Sequence, residues 1–257
     1  MSRALRLRSA ALLLGLCIGL AQAAEERYVI GVENIDYLPH YAAHTGRFEG
    51  FARELFDAFA AAAGIEFEYK PLPVPRMVVS LLRGEVDFLY PDDPSWRTEA
   101  RNGQSFHYSA PVASYIDGTL VRPESLGQGI ERVRRLGIVV GFTPYAWCER
   151  LQTGAPLLRE NAGFAALLDQ LHSGRIDAAY ANVAVAAERA RQSFGRADAL
   201  VFDPELPQVR GDYRLSTRAH PALLARFDRW LAREVEQVAA LKRRHGVDTV
   251  TGHGEGR

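Results

Sequence analysis

Several charged and aromatic residues directly follow apolar segments of the sequence, which is where α/β proteins place ligand-binding groups. In residues 91–97 (PDDPSWR), Asp92 and Asp93 could receive a cationic group, and Trp96 could stack on a ligand. The same two aspartates also suit a turn, because an aspartate before Pro94 can cap its own backbone. The segment therefore indicates either a binding site for a small polar molecule or a capped turn.

Other residues extend this candidate site. The guanidinium of Arg76 could clamp a carboxylate through two hydrogen bonds, or it could be a solvated surface group. Aromatic side chains at strand ends could wall a pocket, or they could belong to the core. The five aromatic candidates are Tyr37, Tyr90, Trp96, Phe142 and Tyr180.

Thr143 has the strongest single signal for an anion site. It follows a short apolar run and precedes Pro144, so we expect Thr143 to cap a helix whose first turn contains the proline. The free backbone N–H groups of such a helix end, together with the threonine hydroxyl, could bind an anionic group.

Catalytic and metal-binding patterns are weak. His40 and His44 have helical spacing, but no glutamate follows the first histidine as the zinc-hydrolase pattern requires. Cys148 has no evident base beside it, and the sequence has no Gly-x-Ser-x-Gly elbow and no phosphate-binding loop. We therefore predict no catalytic residues, no metal and no cofactor.

Composition narrows the class of protein. The 257 residues are 47% hydrophobic and 24% charged, which is typical of a globular protein and excludes wholesale disorder. The 31 basic residues balance 31 acidic residues, which argues against a dedicated nucleic-acid binder. The length suits two lobes or one large domain.

Residues 1–23 have the features of a secretory signal peptide. Arg3, Arg6 and Arg8 precede an apolar run and a small-residue cleavage site, and that run is too short for a membrane anchor. Cleavage removes three of the 31 basic residues and Cys17, which leaves a net charge of −3 and Cys148 as the only cysteine. The expected location is the periplasm, and no internal disulfide is possible.

Predicted strands and helices alternate along the rest of the chain, which indicates an α/β fold with largely parallel sheets. The predicted strands are residues 27–32, 65–69, 86–90, 137–140 and 176–180, and the predicted helices are residues 49–63, 76–83, 129–136, 145–151, 164–172 and 221–244.

The chain contains one internal echo. Residues 81–90 (LLRGEVDFLY) and 171–180 (LHSGRIDAAY) each combine a helix end, a glycine and a strand that contains an aspartate and ends in tyrosine. Glycine-ended helices before strands are common in α/β proteins, but the echo also fits two lobes of similar construction. Two such lobes would bring residues 91–97 and 181–182 to a common cleft.

With these motifs the sequence resembles the periplasmic solute-binding proteins of family 3, the amino-acid-type binding proteins of transport systems. The resemblance covers nearly the whole chain after residue 23 and rests on Tyr37-Leu-Pro, Gly50-Phe51, the Leu-x-x-Gly-x-Val-Asp unit, Tyr108-Ser-Ala-Pro-Val112, Gly174-Arg-Ile-Asp-Ala178 and the closing helix.

This resemblance implies a type II periplasmic-binding-protein fold with two lobes joined by two crossover strands. It places residues 24–118 and 202–250 in the first lobe, residues 119–201 in the second lobe, and residues 251–257 in a flexible tail.

The resemblance also implies an arginine that holds the ligand carboxylate. Arg101 fits the Thr-x-x-Arg pattern of the family, Arg97 fits its distance from the strand, and Arg76 is a third possibility. Asn182 stands where family members carry an aspartate for the ligand ammonium, and Asp92 and Asp93 stand where small residues are usual. These departures argue against ordinary α-amino-acid binding.

The function implied by the resemblance is capture of a small polar solute, an amino acid or a related carboxylate or amine, by closure of the lobes like a Venus flytrap. A monomer of this kind would deliver its solute to an inner-membrane ABC permease. Two alternatives stay open: a sensor that signals to a membrane receptor, and an enzyme like cyclohexadienyl dehydratase. The enzyme would need a protonated acid in the cleft, for which Asp92, Asp93 and Glu149 are the candidates.

Overall fold

The computed structural model describes residues 26–43 and 46–247. The predicted signal peptide (residues 1–23), the predicted tail (residues 251–257) and His44 lie outside these residues. The strands are β1 (Glu26–Glu33), β2 (Asp36–Tyr37), β3 (Tyr41–Ala42), β4 (Ile65–Leu72), β5 (Phe88–Asp92), β6 (His107–Tyr108), β7 (Ala113–Val121), β8 (Arg135–Val139), β9 (Leu157–Asn161), β10 (Ala178–Asn182), β11 (Val201–Phe202) and β12 (Val209–Thr217). The helices are α1 (Phe51–Ala63), α2 (Met77–Leu82), α3 (Cys148–Gln152), α4 (Phe164–His172), α5 (Val183–Phe194), α6 (Pro221–Arg233) and α7 (Val235–His245).

The strands form two parallel groups connected by two long strands. In the first lobe β1 pairs in parallel with β4 and β5, and in the second lobe β8 pairs in parallel with β9 and β10. Strands β7 and β12 pair antiparallel with each other; β12 then continues along β5, and β7 continues along β10. The predicted two-lobed α/β fold with two crossover strands is therefore confirmed. The predicted boundary at residue 118 falls inside β7, and the lobe limits themselves stay a prediction.

Each lobe buries helices against its own strands. In α1, Phe51, Leu55, Phe56 and Phe59 follow the helical period and are buried, and Gly64 ends the helix in the left-handed conformation. Helix α4 buries its four large apolar residues in the second lobe in the same way. These two faces form the cores that hold the strand ends in place.

The internal echo corresponds to one local structure built twice. Gly84 and Gly174 both have positive φ, and each donates its N–H to the leucine three residues earlier. Asp87 then accepts the backbone N–H of Val29 on β1 at 2.7 Å, and Asp177 accepts the backbone N–H of Arg135 on β8 at 2.8 Å. The aspartate that follows each helix is thus bonded to a strand of the same lobe, and each lobe contains one copy of the echoed unit, as the two-lobe interpretation predicts.

We expect Asp177→Ala to destabilise the protein measurably. Its carboxylate also accepts the Arg134 N–H, so the substitution leaves backbone donors without their partner and should cost about 1–3 kcal/mol. Urea unfolding of Asp177→Ala beside Asp198→Ala, which removes only an exposed ion pair with Arg196, would measure the difference. Equal stability of the two variants would contradict this role of the echo.

Two of the predicted helices are wrong in part. Residues 130–132 form only one 3-10 turn, and residues 135–136 belong to β8, because they pair with Leu157 and Leu158 of β9. The predicted helix 221–244 is two helices, since Glu234 leaves the helical conformation between them. Glu234 stands where the apolar spacing from Trp230 to Val238 would require another apolar residue.

Some elements lack a sequence prediction. Strand β9 is exposed at most of its positions, so it has little hydrophobic pattern, and α5 begins directly after β10 without a turn signal. No helix in the described part of the chain is long and apolar enough to cross a membrane.

Candidate functional site

The cleft between the lobes contains a cavity of about 140 Å³ at the crossover strands. Residues from the first lobe, from the second lobe and from both crossover strands line it, so the cavity belongs to neither lobe alone. The lining residues are Glu33, Tyr37, Tyr41, Val74, Pro91, Trp96, Arg97, Asp117, Gly141, Phe142, Thr143, Tyr145 and Tyr213.

Five of the eleven predicted site residues meet in this cavity: Tyr37, Trp96, Arg97, Phe142 and Thr143. The Tyr37 and Phe142 rings stack with centroids 6.0 Å apart and planes 10° apart, so one ring from each lobe contacts the other. This arrangement supports the interpretation of these rings as pocket walls.

The lobes also contact each other beside the cavity. Tyr37 packs edge-on against Phe164 of α4, with centroids 5.5 Å apart. Asp36 on β2 forms an ion pair with Arg189 on α5. The described conformation is therefore one in which the lobes are closed on each other.

Arg101 and Asp92 are engaged with each other and not with the cavity. Both are buried, and Arg101 Nη2 donates to Asp92 Oδ1 at 2.9 Å. Asp92 also accepts the Ser216 hydroxyl at 2.7 Å, and Arg101 donates to the carbonyl oxygens of Asp93 and Pro94. Burial raises the pKa of Asp92, and the Ser216 hydrogen bond and the Arg101 charge oppose that rise. The pair stabilises the loop after β5.

The other predicted residues lie outside the cavity. Asp93 accepts the backbone N–H and the hydroxyl of Ser95, which is the turn-capping alternative. Arg76 is exposed, whereas Tyr90 and Tyr180 are buried in the cores of the first and second lobes.

Asn182 is buried and holds local structure. Its Oδ1 accepts the Val185 N–H as the N-cap of α5, and its Nδ2 donates to the Tyr213 hydroxyl. It lines a second cavity of about 370 Å³, together with His40, Arg210 and Asp212. This cavity is larger, but the second lobe contributes to it only through the start of α5 and its neighbouring strand, and no other predicted site residue lines it.

The predicted helix cap at Thr143 is wrong. A 3-10 turn begins at Tyr145 with Pro144 as its N-cap, and no side chain caps it. The Thr143 carbonyl accepts the Tyr145 N–H, because this chain segment turns one residue later than the sequence pattern suggests. Thr143 still lines the cavity, but it lies on a loop and not at the start of a helix.

Glu33 was not predicted as a site residue, and it forms an ion pair with Arg97. It ends β1 and is buried; its Oε2 accepts the Tyr41 hydroxyl at 2.6 Å, and its Oε1 lies 3.3 Å from Arg97 Nη2. Burial raises the pKa of Glu33, whereas Arg97 and the Tyr41 hydrogen bond oppose that rise. The Arg97 guanidinium also lies 5.4 Å from the Trp96 ring centroid. Arg97 is thus held between a carboxylate and an aromatic ring.

Asp117 is the second acidic group that sequence reasoning missed. It lies on β7 opposite Asn182 of β10, and its buried Oδ1 has no hydrogen-bond partner among the described residues. Burial raises its pKa to about 7, helped by the Glu33 charge and opposed by the Asn182 amide. A single charged residue in the otherwise uncharged run Tyr115–Val121 was the signal that could have identified it.

The Asp117 carboxyl predicts a pH-dependent stability. The pKa of Asp117 is about 7 in the folded protein against an ordinary value of 3.8, so the folded state binds more protons than the unfolded state between these two pH values. The free energy of unfolding should therefore fall as the pH rises from about 4 to about 7, and Asp117→Asn should remove that part of the slope. Urea unfolding of both proteins across this range would measure it. Parallel pH profiles would contradict a raised pKa at Asp117.

Comparison with known proteins identifies solved structures with a similar fold. No protein-family model matches the sequence, and no curated protein sequence matches it. A histidine kinase sensor domain with similarity to periplasmic binding proteins is 23% identical, with a TM-score of 0.67 over 86% of this chain and 96% of that chain. The arginine-, lysine-, histidine-binding protein ArtJ from Geobacillus stearothermophilus is 21% identical, with a TM-score of 0.64 over 86% of this chain and 95% of that one.

The chain has a periplasmic-binding-protein-like fold. A third structure of this fold, an ancestral amino acid-binding protein described as a precursor of cyclohexadienyl dehydratase, is 19% identical with a TM-score of 0.62, over 85% of this chain and 95% of that chain. In this periplasmic-binding-protein-like fold, β7 and β12 are the strands that connect the two lobes.

Proposed function

We propose that the protein binds a small polar solute in the cleft between its lobes. The observation that carries this proposal is the cavity at the crossover strands, because both lobes and both crossover strands supply its walls. Small-molecule sites of this kind combine aromatic walls with a few convergent polar groups. Here Tyr37, Trp96 and Phe142 supply rings, and Glu33, Arg97 and Asp117 supply charges.

Binding is coupled to closure of the lobes by bending at β7 and β12. A ligand that contacts both lobes stabilises only the closed state, so it shifts the equilibrium toward closure. Tyr37 and Phe142 lie on opposite lobes and both line the cavity, so a ligand there would contact both lobes. No covalent step is needed.

In the first version of this function, the protein works in the periplasm as a monomer and delivers its solute to an inner-membrane ABC permease. The signal-peptide features of residues 1–23 support export. The second version is a sensor whose closed form engages a membrane receptor, and the similarity in fold to a histidine kinase sensor domain favours it.

An enzyme is the remaining alternative, and the fold of a dehydratase precursor is the observation behind it. The acid in such an enzyme must hold a proton near neutral pH. Asp117, with its pKa raised to about 7, meets that requirement better than the buried, ion-paired Asp92 or the exposed Glu149. Loss of water from a cyclohexadienyl acid by the wild type, but not by Asp117→Asn, would favour the enzyme over the binding protein.

A thermal-shift screen of residues 24–257 tests the binding proposal. The compounds are amino acids, polyamines, dicarboxylates, aromatic acids and small peptides. A ligand at about 100 times its Kd should add about 2.7 kcal/mol of stability. The expected result is stabilisation by one chemical class, and the absence of stabilisation by every class would contradict solute binding.

A further inference from the structure

We propose that the cleft selects a small amine that lacks a carboxylate, with its protonated nitrogen bound by Asp117. This inference rests on the proposed function, since it names the chemical class of the ligand in the same cavity. It follows from which charged groups of the cleft already have partners and which one does not.

The arginines offer no unpaired cation for a carboxylate. Within the described chain, Arg97 is the only cation that lines the cavity, and Glu33 and Trp96 already hold it. Arg101 is buried against Asp92, and Arg76 is exposed outside the cavity. A ligand carboxylate would have to displace Glu33 from Arg97 and leave a buried, negatively charged side chain beside it, which is costly.

No cation among the described residues stabilises the Asp117 carboxylate; the group that favours its charged form is the neutral Asn182 amide. The Asp117 Oδ1 is buried without a hydrogen bond from the described residues, although the residue lines the cavity. Buried carboxylate oxygens are normally hydrogen-bonded, so this atom is the position at which a ligand donor stabilises the complex most. A protonated nitrogen supplies both the hydrogen bond and the compensating charge.

The charge balance points the same way. The three charged groups that line the cavity are Glu33, Arg97 and ionised Asp117, so together they have one negative charge in excess. A monocation neutralises this excess, whereas a zwitterionic amino acid does not. The other polar groups that interact with the Asp117 carboxyl add no positive charge. They are Glu33, Tyr37, Tyr115, Tyr180, Asn182 and Tyr213.

The aromatic walls suit the same ligand. Tyr37, Trp96, Phe142, Tyr145 and Tyr213 line the cavity around this carboxylate. Aromatic faces attract cations and also cover the apolar part of an amine. A neutral or anionic ligand would gain only the second of these interactions.

The test compares amines with the amino acids that differ from them by one carboxylate. The pairs are agmatine with arginine, cadaverine with lysine, and phenethylamine with phenylalanine. Titration calorimetry at pH 8, where the Asp117 carboxyl is ionised, gives both affinities of each pair. At least one amine should bind about 10- to 100-fold more tightly than its amino acid.

Variants identify the groups responsible. Asp117→Asn has the same shape and should weaken the preferred amine about 10- to 100-fold, whereas Asp212→Asn, on β12 beside the second cavity, should leave it unchanged. Glu33→Gln removes the partner charge of Arg97, so it should improve binding of the amino acid relative to the amine.

Three results would overturn the inference. Amino acids that bind as tightly as their amines would show that Arg97 accepts a carboxylate, with the proposed function intact. An unchanged amine affinity in Asp117→Asn would remove Asp117 from the site. If no amine binds, the ligand class is wrong, and the wider compound screen then decides separately whether the cleft binds a solute at all.

Discussion

Arg101→Leu should lower the free energy of unfolding by about 3–5 kcal/mol, because it leaves the buried Asp92 carboxylate without its ion-pair partner. In a chain of this size that loss corresponds to a decrease of about 6–20 °C in the melting temperature. Arg196→Leu removes an ion pair with Asp198 in which both side chains are exposed, so the stability of that variant should change much less. Chemical unfolding of the two variants beside the wild type measures both effects.

A double-mutant cycle separates this pair from other contacts of Arg101. Asp92→Asn in the Arg101→Leu background should recover part of the lost stability, because no uncompensated charge then remains buried. If Arg101→Leu leaves stability unchanged but abolishes ligand binding, Arg101 is the ligand arginine after all, as the Thr-x-x-Arg pattern suggests.

Charge reversal at the ion pair between the lobes should open the cleft. Arg189→Glu replaces attraction to Asp36 by repulsion, and loss of a hydrogen-bonded charge pair is worth about 1.5–3 kcal/mol. The population of closed molecules should fall by about 10- to 100-fold relative to open ones. Small-angle scattering should then show a larger radius of gyration than in the wild type.

The matched controls for closure are also available in this chain. Asp36→Arg combined with Arg189→Glu restores opposite charges and should restore the smaller radius. Arg191→Glu, on the same helix but paired within it to Glu188, should leave the radius unchanged. An equal radius in the wild type and Arg189→Glu would contradict a role of this pair in closure.

Elements with a regular apolar pattern could be predicted from the sequence. Helix α4 has the predicted bounds because Phe164, Leu167, Leu168 and Leu171 recur at helical spacing and are all buried. The break between α6 and α7 at Glu234 was missed, since one polar residue in a long amphipathic pattern does not by itself predict the end of a helix.

The site residues that follow strand ends could be predicted from the sequence. Those whose role depends on contacts with residues distant in the sequence could not. Trp96 and Phe142 line the cavity as the strand-end rule predicts. Asp92 and Arg101 have suitable residue types, but they neutralise each other across nine residues, a contact that spacing does not show. Asp117 lies inside a crossover strand, so its proximity to the cleft depends on how the two lobes meet.

The central claim is that the solute binds in the cleft between the lobes. The most direct test is a calorimetric titration of a variant in which a large side chain fills the cavity. Thr143→Trp places an indole in the cavity, and Thr153→Trp, an exposed position at the end of α3, is the matched control. The ligand found by thermal shift should bind wild type and Thr153→Trp with one site per chain and should lose binding to Thr143→Trp. Equal affinity for all three proteins would contradict the claim and place the ligand elsewhere.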